Sequence, residues 1–145
     1  MNQKLFNPDY LKYLCQTYGL TPSKKYGQNF LLQPEVVEKM IAAAEIKSDD
    51  TVVEVGPGFG VLTLALAERA KKVFAFEIEK KLTPYWSRFC LEQNRGSTIP
   101  TDVGIGSRTL CGNLEIVWGN VLNVPSSQFT VHSYHSQYRS SLLSS

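Results

Sequence analysis

The sequence predicts an α/β fold whose sheet is built mainly from parallel strands. Runs of β-branched and aromatic residues at 51–55, 73–77 and 114–118 indicate single strands. A glycine-rich turn connects the first run to a helical Leu/Ala pattern, and a second helical pattern follows the second run. Because helices separate the strands, parallel βαβ units of a Rossmann-like sheet fit this order better than an antiparallel α+β domain.

Length and composition limit the class of protein. The chain has 145 residues, of which 43% are hydrophobic and 19% charged, with a formal net charge of +2. These values fit one domain with a buried core and exclude a collagen-like, coiled-coil or disordered chain. No apolar run approaches the roughly 18 residues of a membrane-spanning helix, and residues 1–10 lack a signal-peptide core. We therefore expect a cytoplasmic protein whose three cysteines, Cys15, Cys90 and Cys111, are buried thiols.

The N-terminal part is predicted to contain two helices on either side of a basic loop. Residues 7–9, Asn-Pro-Asp, have the order of an N-cap, a first-turn proline and an early acid, and Gly19 ends the helical pattern. The basic loop occupies 23–31, and a second helix begins at Pro34. The apolar face predicted for this helix consists of Val37, Met40, Ile41 and Ala44.

The middle of the chain alternates strands and helices and then loses its periodicity. The predicted elements are a strand at 51–55, a turn at 56–60, a helix at 61–69, a strand at 73–76 ending in Glu77, a helix at 80–90 and a strand at 114–118. We interpret 87–112 as an irregular insertion, either a long surface loop or the product of a disrupted reading frame. The predicted organisation is an N-terminal helix and basic loop (1–33), a partial domain (34–124) and a Ser-rich tail (125–145).

The turn Gly56-Pro57-Gly58-Phe59-Gly60 has the features of a nucleotide-binding loop. It leaves a strand and opens a helix, and glycine allows both positive φ angles and close approach of a ligand. Glu77 ends the next strand 19 residues after Gly58, where an acceptor for a ribose diol is expected. The spacing is G-x-G-x-G, with Val61 at the third dinucleotide position. S-adenosylmethionine, which has no pyrophosphate, therefore fits better than NAD, and a tight turn without a ligand is the other alternative.

Three segments carry a resemblance to a known family. They are Tyr26-Gly27-Gln28-Asn29-Phe30-Leu31, Glu54-Val55-Gly56-Pro57-Gly58-Phe59-Gly60-Val61-Leu62-Thr63 and Phe76-Glu77-Ile78-Glu79. Together they resemble the N-terminal part of the bacterial small-subunit (16S) rRNA adenine N6,N6-dimethyltransferases, the KsgA family. The resemblance is dense over 20–86 and returns over 113–124. It implies the Rossmann-like fold of S-adenosylmethionine-dependent methyltransferases, here incomplete, with the N-terminal half of the sheet.

The resemblance implies a set of cofactor-binding residues. They are Asn29, Leu31, Gly56, Gly58, Gly60, Glu77 and Asn120. Asn29 and Leu31 match the motif over the methionine end of S-adenosylmethionine, the glycines match the loop beneath it, and Glu77 matches the acid that accepts both ribose hydroxyls. Asn120 stands after a predicted strand where the family usually has an adenine-contacting Asp. Asp102 is a weaker candidate for that contact because no predicted strand leads to it.

The catalytic motif of the family is absent from the sequence. In the family, an Asn-x-Pro-Tyr motif accepts hydrogen bonds from the adenine amino group and stacks on the flipped base. Tyr138 lies in the corresponding region, but no Asn-x-Pro directly precedes it. We therefore assign no catalytic residue and expect little or no methyl transfer by this chain. His132 and His135 lack a third ligand and are interpreted as polar tail residues, so no metal is expected.

Lys24, Lys25 and Tyr26 are the candidate RNA contacts. Lysine neutralises phosphate and tyrosine stacks on bases, although a solvated basic loop is an alternative interpretation. The resemblance implies small-subunit rRNA, in a 30S precursor, as the partner of an expected monomer without membrane contact. Two other functions remain open: a large-subunit rRNA adenine methylase of the macrolide-resistance type, and a non-catalytic remnant that binds RNA or cofactor.

Overall fold

The computed structural model describes residues 2–21, 32–93 and 106–123, which contain a four-stranded sheet and four α-helices. The helices are α1 (Pro8–Thr17), α2 (Pro34–Ala43), α3 (Val61–Ala67) and α4 (Thr83–Glu92), and the strands are β1 (Thr51–Val55), β2 (Lys72–Glu77), β3 (Arg108–Cys111) and β4 (Leu114–Trp118). Short 3₁₀ helices occupy Gln3–Phe6, Lys80–Leu82 and Val121–Asn123. Within these ranges, no helix has the length and apolar character needed to cross a membrane.

The sheet has the order β1-β2-β4-β3, and its first three strands are parallel. Val55 of β1 lies beside Phe76 of β2, and Glu77 of β2 lies beside Trp118 of β4. The C-terminal ends of three parallel strands therefore meet at one edge of the sheet, which is where open α/β sheets bind their ligands. The predicted α/β class is confirmed.

The ends of α1 follow the sequence signals. The Asn7 side chain accepts hydrogen bonds from the backbone N–H groups of Asp9 and Tyr10, at 2.9 and 3.1 Å. At the other end Gly19 has a φ angle of +62°, and the N–H of Leu20 donates to a carbonyl one turn back, at 2.8 Å. These contacts satisfy backbone groups that a helix end otherwise leaves without partners.

The apolar face predicted for α2 is too wide. Val37 and Ile41 are buried, but the side chain of Met40 is 46% exposed and Ala44 is also exposed. Only Val37 and Ile41, one turn apart on the same side of the helix, are buried, because only this side of α2 packs against the core. The prediction that Met40 and Ala44 belong to the core is therefore wrong.

A strand that the sequence analysis missed lies within the predicted irregular insertion. β3 pairs antiparallel with β4 across a tight turn at Gly112 and Asn113. The Asn113 amide donates to the carbonyls of Ala67 and Ala70, at 2.8 and 3.0 Å, and so fastens the turn to the end of α3. Residues 87–92 belong to α4, so the described parts of 87–112 are regular structure at both ends. Four residues of alternating burial are too short to stand out as a strand in sequence.

All four helices contribute to one hydrophobic core on one face of the sheet. The strands supply Val73, Ala75, Leu114, Ile116 and Trp118 to this core. The opposite face carries a smaller cluster of Phe74, Phe76 and Val117. As predicted, Cys15, Cys90 and Cys111 are buried thiols, and none of them forms a disulfide.

Candidate functional site

The glycine loop, residues 56–60, lies at the C-terminal end of β1 and leads directly into α3. Gly56, Gly58 and Gly60 have φ angles of +77°, +56° and +87°, a region that residues with a Cβ atom rarely adopt. The Gly56 N–H donates to the carbonyl of Phe76 at 2.8 Å, which ties the loop to the end of β2. A Cβ atom at Gly56 or Gly58 would meet no heavy atom within 4 Å, so the space beside these residues is open.

Glu77 places a buried carboxylate under this loop. Glu77 is only 4% exposed. One oxygen, Oε2, accepts a hydrogen bond from the Gly58 N–H at 3.1 Å, and Oε1 accepts one from the Glu79 N–H at 2.8 Å. Burial raises the pKa of Glu77, and these backbone donors oppose the rise. A carboxylate has about four acceptor positions, so these bonds leave room for a further donor.

Asn120 lies at the same edge of the sheet, two residues beyond β4. The neighbouring Gly119 N–H donates to the Glu77 carbonyl at 2.7 Å, which holds the end of β4 against β2. The Asn120 side-chain oxygen accepts from the Leu122 N–H at 3.0 Å and caps the following turn. The structure therefore brings together five of the predicted cofactor residues: Gly56, Gly58, Gly60, Glu77 and Asn120.

A second acid, Glu54, lies inside β1 next to the loop. The pKa of Glu54 is raised to about 7, mainly by burial and in smaller part by the negative charge of Glu77, while the Thr63 hydroxyl opposes the rise. Its Oε2 atom has no hydrogen-bond partner in the described part of the chain. A proton or a cationic donor from a ligand would satisfy this atom, since a buried acceptor without a partner is costly.

Two aromatic residues at the start of α4 also contact the loop, and the sequence analysis did not identify them. The Tyr85 hydroxyl donates to the Phe59 carbonyl at 2.7 Å, and the Trp86 indole N–H donates to the Gly58 carbonyl at 3.0 Å. Both side chains are buried. The signal available in the sequence was an adjacent pair of hydrogen-bonding aromatics in the helix that follows Glu77.

Several predicted site residues lie outside the described ranges. They are Lys24, Lys25, Tyr26, Asn29 and Leu31, together with Asp102, His132, His135 and Tyr138. Their roles stay predictions. Across residues 2–21, 32–93 and 106–123, no group of three or more His, Cys, Asp or Glu side chains is arranged to hold a metal ion.

Comparison with known proteins finds sequence similarity in the part of the chain that contains the glycine loop and Glu77. The family described as "Ribosomal RNA adenine dimethylase" matches residues 20–103. The "Ribosomal RNA small subunit methyltransferase A" of Ligilactobacillus salivarius is 46% identical over 81 residues, which cover 56% of this chain and 27% of that protein. The protein of the same name from Corynebacterium efficiens is 35% identical over 127 residues, which cover 88% of this chain and 39% of that protein. The chain thus spans well under half the length of these relatives.

Two solved structures are also similar. A dimethyladenosine transferase from Plasmodium falciparum has 30% identity and a TM-score of 0.48, over 64% of this chain and 28% of that one. The 23S rRNA methyltransferase ErmE has 27% identity and a TM-score of 0.49, over 66% of this chain and 32% of that one.

Proposed function

Because the chain belongs to the ribosomal RNA adenine dimethylase family, we propose that it is the cofactor-binding part of an rRNA adenine N6,N6-dimethyltransferase. The reaction is methyl transfer from S-adenosylmethionine to two adjacent adenines of small-subunit rRNA. The observation that carries this proposal is the buried Glu77 carboxylate, which backbone N–H groups hold beside the glycine loop. The small-subunit enzymes among the relatives favour this substrate over large-subunit rRNA.

The residues at the edge of the sheet fit S-adenosylmethionine. The open space beside Gly56 and Gly58 allows a ligand to approach the backbone closely. Glu77 has room for a donor from the ribose diol. The Oε2 atom of Glu54, which has no hydrogen-bond partner among the described residues, suits the ammonium group of the methionine part. Bound there, S-adenosylmethionine supplies an electrophilic methyl group on its sulfonium.

The remaining cofactor and RNA contacts are part of the same proposal. Asn120 would contact the adenine of the cofactor, and Asn29 and Leu31 would cover its methionine end. Lys24, Lys25 and Tyr26 would contact the rRNA of a 30S precursor through phosphate and base stacking. The names of the relatives support an rRNA partner. The three buried thiols, none of them in a disulfide, are in keeping with the reducing cytoplasm, and we expect a monomer.

A second candidate function, cofactor binding without methyl transfer, is favoured by one observation. The sequence contains no Asn-x-Pro-Tyr motif. Methylation of an adenine amino group requires acceptors that orient its lone pair toward the methyl group, and stacking that holds the flipped base. We therefore expect this chain to bind S-adenosylmethionine and to transfer little or none of its methyl group.

The two candidates are separated by measuring binding and methylation together. The chain is incubated with undermethylated small ribosomal subunits and methyl-labelled S-adenosylmethionine, with a full-length family member as the positive control. Equilibrium dialysis of the same preparation measures cofactor binding. We expect saturable binding with little labelled dimethyladenosine. Dimethyladenosine at the level of the control would exclude the non-catalytic candidate, and absence of binding would contradict the cofactor assignment itself.

A further inference from the structure

The first turn of α4 is connected to the glycine loop by two side-chain hydrogen bonds. Trp86 Nε1 donates to the Gly58 carbonyl at 3.0 Å, and Tyr85 Oη donates to the Phe59 carbonyl at 2.7 Å. The two rings also contact each other edge to face, with centroids 5.4 Å apart, and the Phe59 ring contacts Tyr85 in the same way at 5.0 Å. Two consecutive peptide groups of the loop are therefore held from the same helix.

The bond from Trp86 fixes the direction of one N–H group of the loop. A trans peptide is planar, so its C=O and N–H point in opposite directions. Because Trp86 holds the Gly58 carbonyl toward α4, the N–H of Phe59 in the same peptide group is turned away from α4. Without this bond, the flexible glycine backbone allows the peptide group to rotate.

The indole of Trp86 is also packed directly against the last glycine of the loop. A Cβ atom at Gly60 would lie 2.6 Å from Trp86 Cη2 and 3.1 Å from Cζ2. Gly60 has a φ angle of +87° as well. A side chain at this position would therefore displace the indole and break its bond to Gly58.

We propose that Tyr85 and Trp86 are positioning residues for the cofactor, which they influence through the backbone of the glycine loop. Neither side chain needs to touch the cofactor for this role. By holding two consecutive loop carbonyls toward α4, they fix the backbone on which S-adenosylmethionine would lie. The Trp86 bond directs the Phe59 N–H toward the face where the cofactor would bind. The Tyr85 bond holds the next peptide group, whose Gly60 N–H donates to the Pro57 carbonyl at 2.8 Å and closes the turn. This inference rests on the proposed function, because it assumes that the loop binds this cofactor.

The test uses substitutions that remove one donor and keep an aromatic ring, which for Trp86→Phe is smaller than the buried indole. Trp86→Phe and Tyr85→Phe each delete one hydrogen bond to the loop. Thr109→Val is the matched control. The indole N–H of Trp118 donates to the Thr109 hydroxyl at 3.0 Å, on the β3–β4 hairpin, and this substitution removes that acceptor. Calorimetry gives the affinity for S-adenosylhomocysteine, urea unfolding gives the stability, and mass spectrometry gives the amide exchange of residues 56–62 in the ligand-free chain.

We expect Trp86→Phe and Tyr85→Phe to weaken S-adenosylhomocysteine binding about threefold to tenfold, the range of one hydrogen bond. Thr109→Val should lose stability similar to that lost by Tyr85→Phe, with less than a twofold change in affinity, whereas Trp86→Phe should lose more stability because the smaller ring leaves a cavity. Amide exchange over 56–62 should quicken in the two loop-contact variants and not in the control. Equal affinities in all three variants, or unchanged exchange in the loop, would overturn the proposal.

The proposed function and the positioning role can fail separately. If the wild-type chain binds no S-adenosylhomocysteine, the cofactor assignment fails, and the amide exchange of the ligand-free loop then decides the positioning role. Faster loop exchange in Trp86→Phe than in Thr109→Val would still support that role, and equal exchange would exclude it. Gly60→Ala provides a further comparison, since displacement of the indole should reproduce the exchange pattern of Trp86→Phe.

Discussion

The two outer strands of the sheet, β1 and β3, end the sheet in different ways. β3 folds back on β4, and alternate residues, Thr109 and Cys111, are fully buried. In β1, at the opposite edge, Val53 is 39% exposed and Val55 is 66% exposed. Its sequence has the valine-rich character of a parallel strand covered on both faces. In the described part of the chain, β1 pairs with β2 along one edge, and its Val52 side chain packs against the core that the helices form on one face of the sheet.

Two buried carboxyl groups show the same contrast. Glu115 of β4 lies 2.9 Å from Lys72 Nζ and also pairs with the guanidinium of Arg108. Glu54 of β1 has an oxygen without a partner in the described ranges, and burial raises its pKa to about 7. Nearby cations offset the cost of burying the first carboxylate, and no cation of residues 2–21, 32–93 or 106–123 pairs with the second. Among the described residues, the buried acid on the hairpin side of the sheet is thus paired with cations, whereas the β1 side has an unpaired strand edge and an acid without a cationic partner.

Glu54→Gln tests the buried acid of β1, and its effect on the free energy of unfolding should be the largest of those predicted here. The pKa of Glu54 is about 7 in the folded chain against an ordinary value of 4.5. The folded state therefore binds the proton more tightly, and this contribution to stability is lost as the pH rises through 7. Relative to the variant, the wild type should lose about 3 kcal/mol of its free energy of unfolding between pH 4.5 and 8.

Urea unfolding at several pH values measures this difference. Glu45→Gln is the control, because Glu45 is exposed and its substitution should leave the pH dependence of the wild type intact. If the wild type and Glu54→Gln lose stability equally as the pH rises, Glu54 is not the group responsible.

Glu115→Ala tests the compensated side. The carboxylate is buried, and its removal leaves Lys72 and Arg108 without their shared counter-charge. Since both cations are about one-third exposed, water offsets part of the loss, and we expect destabilisation by about 2 kcal/mol. Glu92→Ala, which breaks only the exposed pair with Arg88, should leave the urea midpoint unchanged. Equal midpoints for both variants would show that the buried cluster does not stabilise the hairpin edge.

Val55→Lys tests whether the open edge of β1 allows self-association. An exposed, apolar edge strand pairs readily with other chains, and lysine on such an edge prevents it. We expect the wild type to be monomeric when dilute and to associate at high concentration, with less association in the variant and little change in stability. Light scattering after size-exclusion chromatography measures this. Leu122→Lys is the control, because Leu122 is 86% exposed and outside the strands; an equal response of both variants would exclude the β1 edge.

The sequence predicted the features that depend on neighbouring residues. The cap at Asn7, the turn at Gly19 and the strand–loop–helix order around Gly58 are all specified within a few positions. Glu77 was identified because its distance from the loop follows from one βα unit. The same local reasoning explains why the parallel part of the sheet was predicted correctly.

The features that were missed depend on contacts between distant residues. Trp86 and its acceptor Gly58 are 28 residues apart, and Asn113 is 46 residues from Ala67, whose carbonyl it binds. The pKa of Glu54 likewise depends on burial, which no local pattern specifies. The exposure of Met40 was missed for the same reason, because a helical face becomes buried only where another element covers it.

The central claim is that Glu77 holds the ribose of S-adenosylmethionine beside the glycine loop. Calorimetric titration of S-adenosylmethionine into the wild type, Glu77→Gln and Glu79→Gln tests it most directly. Glu79 is the matched control, because its side chain caps the next turn through the Lys81 N–H. Loss of charge-assisted acceptors should weaken binding to Glu77→Gln about tenfold or more, with Glu79→Gln close to the wild type. Equal affinity of all three proteins would contradict the assignment of Glu77 and, with it, the proposed cofactor site.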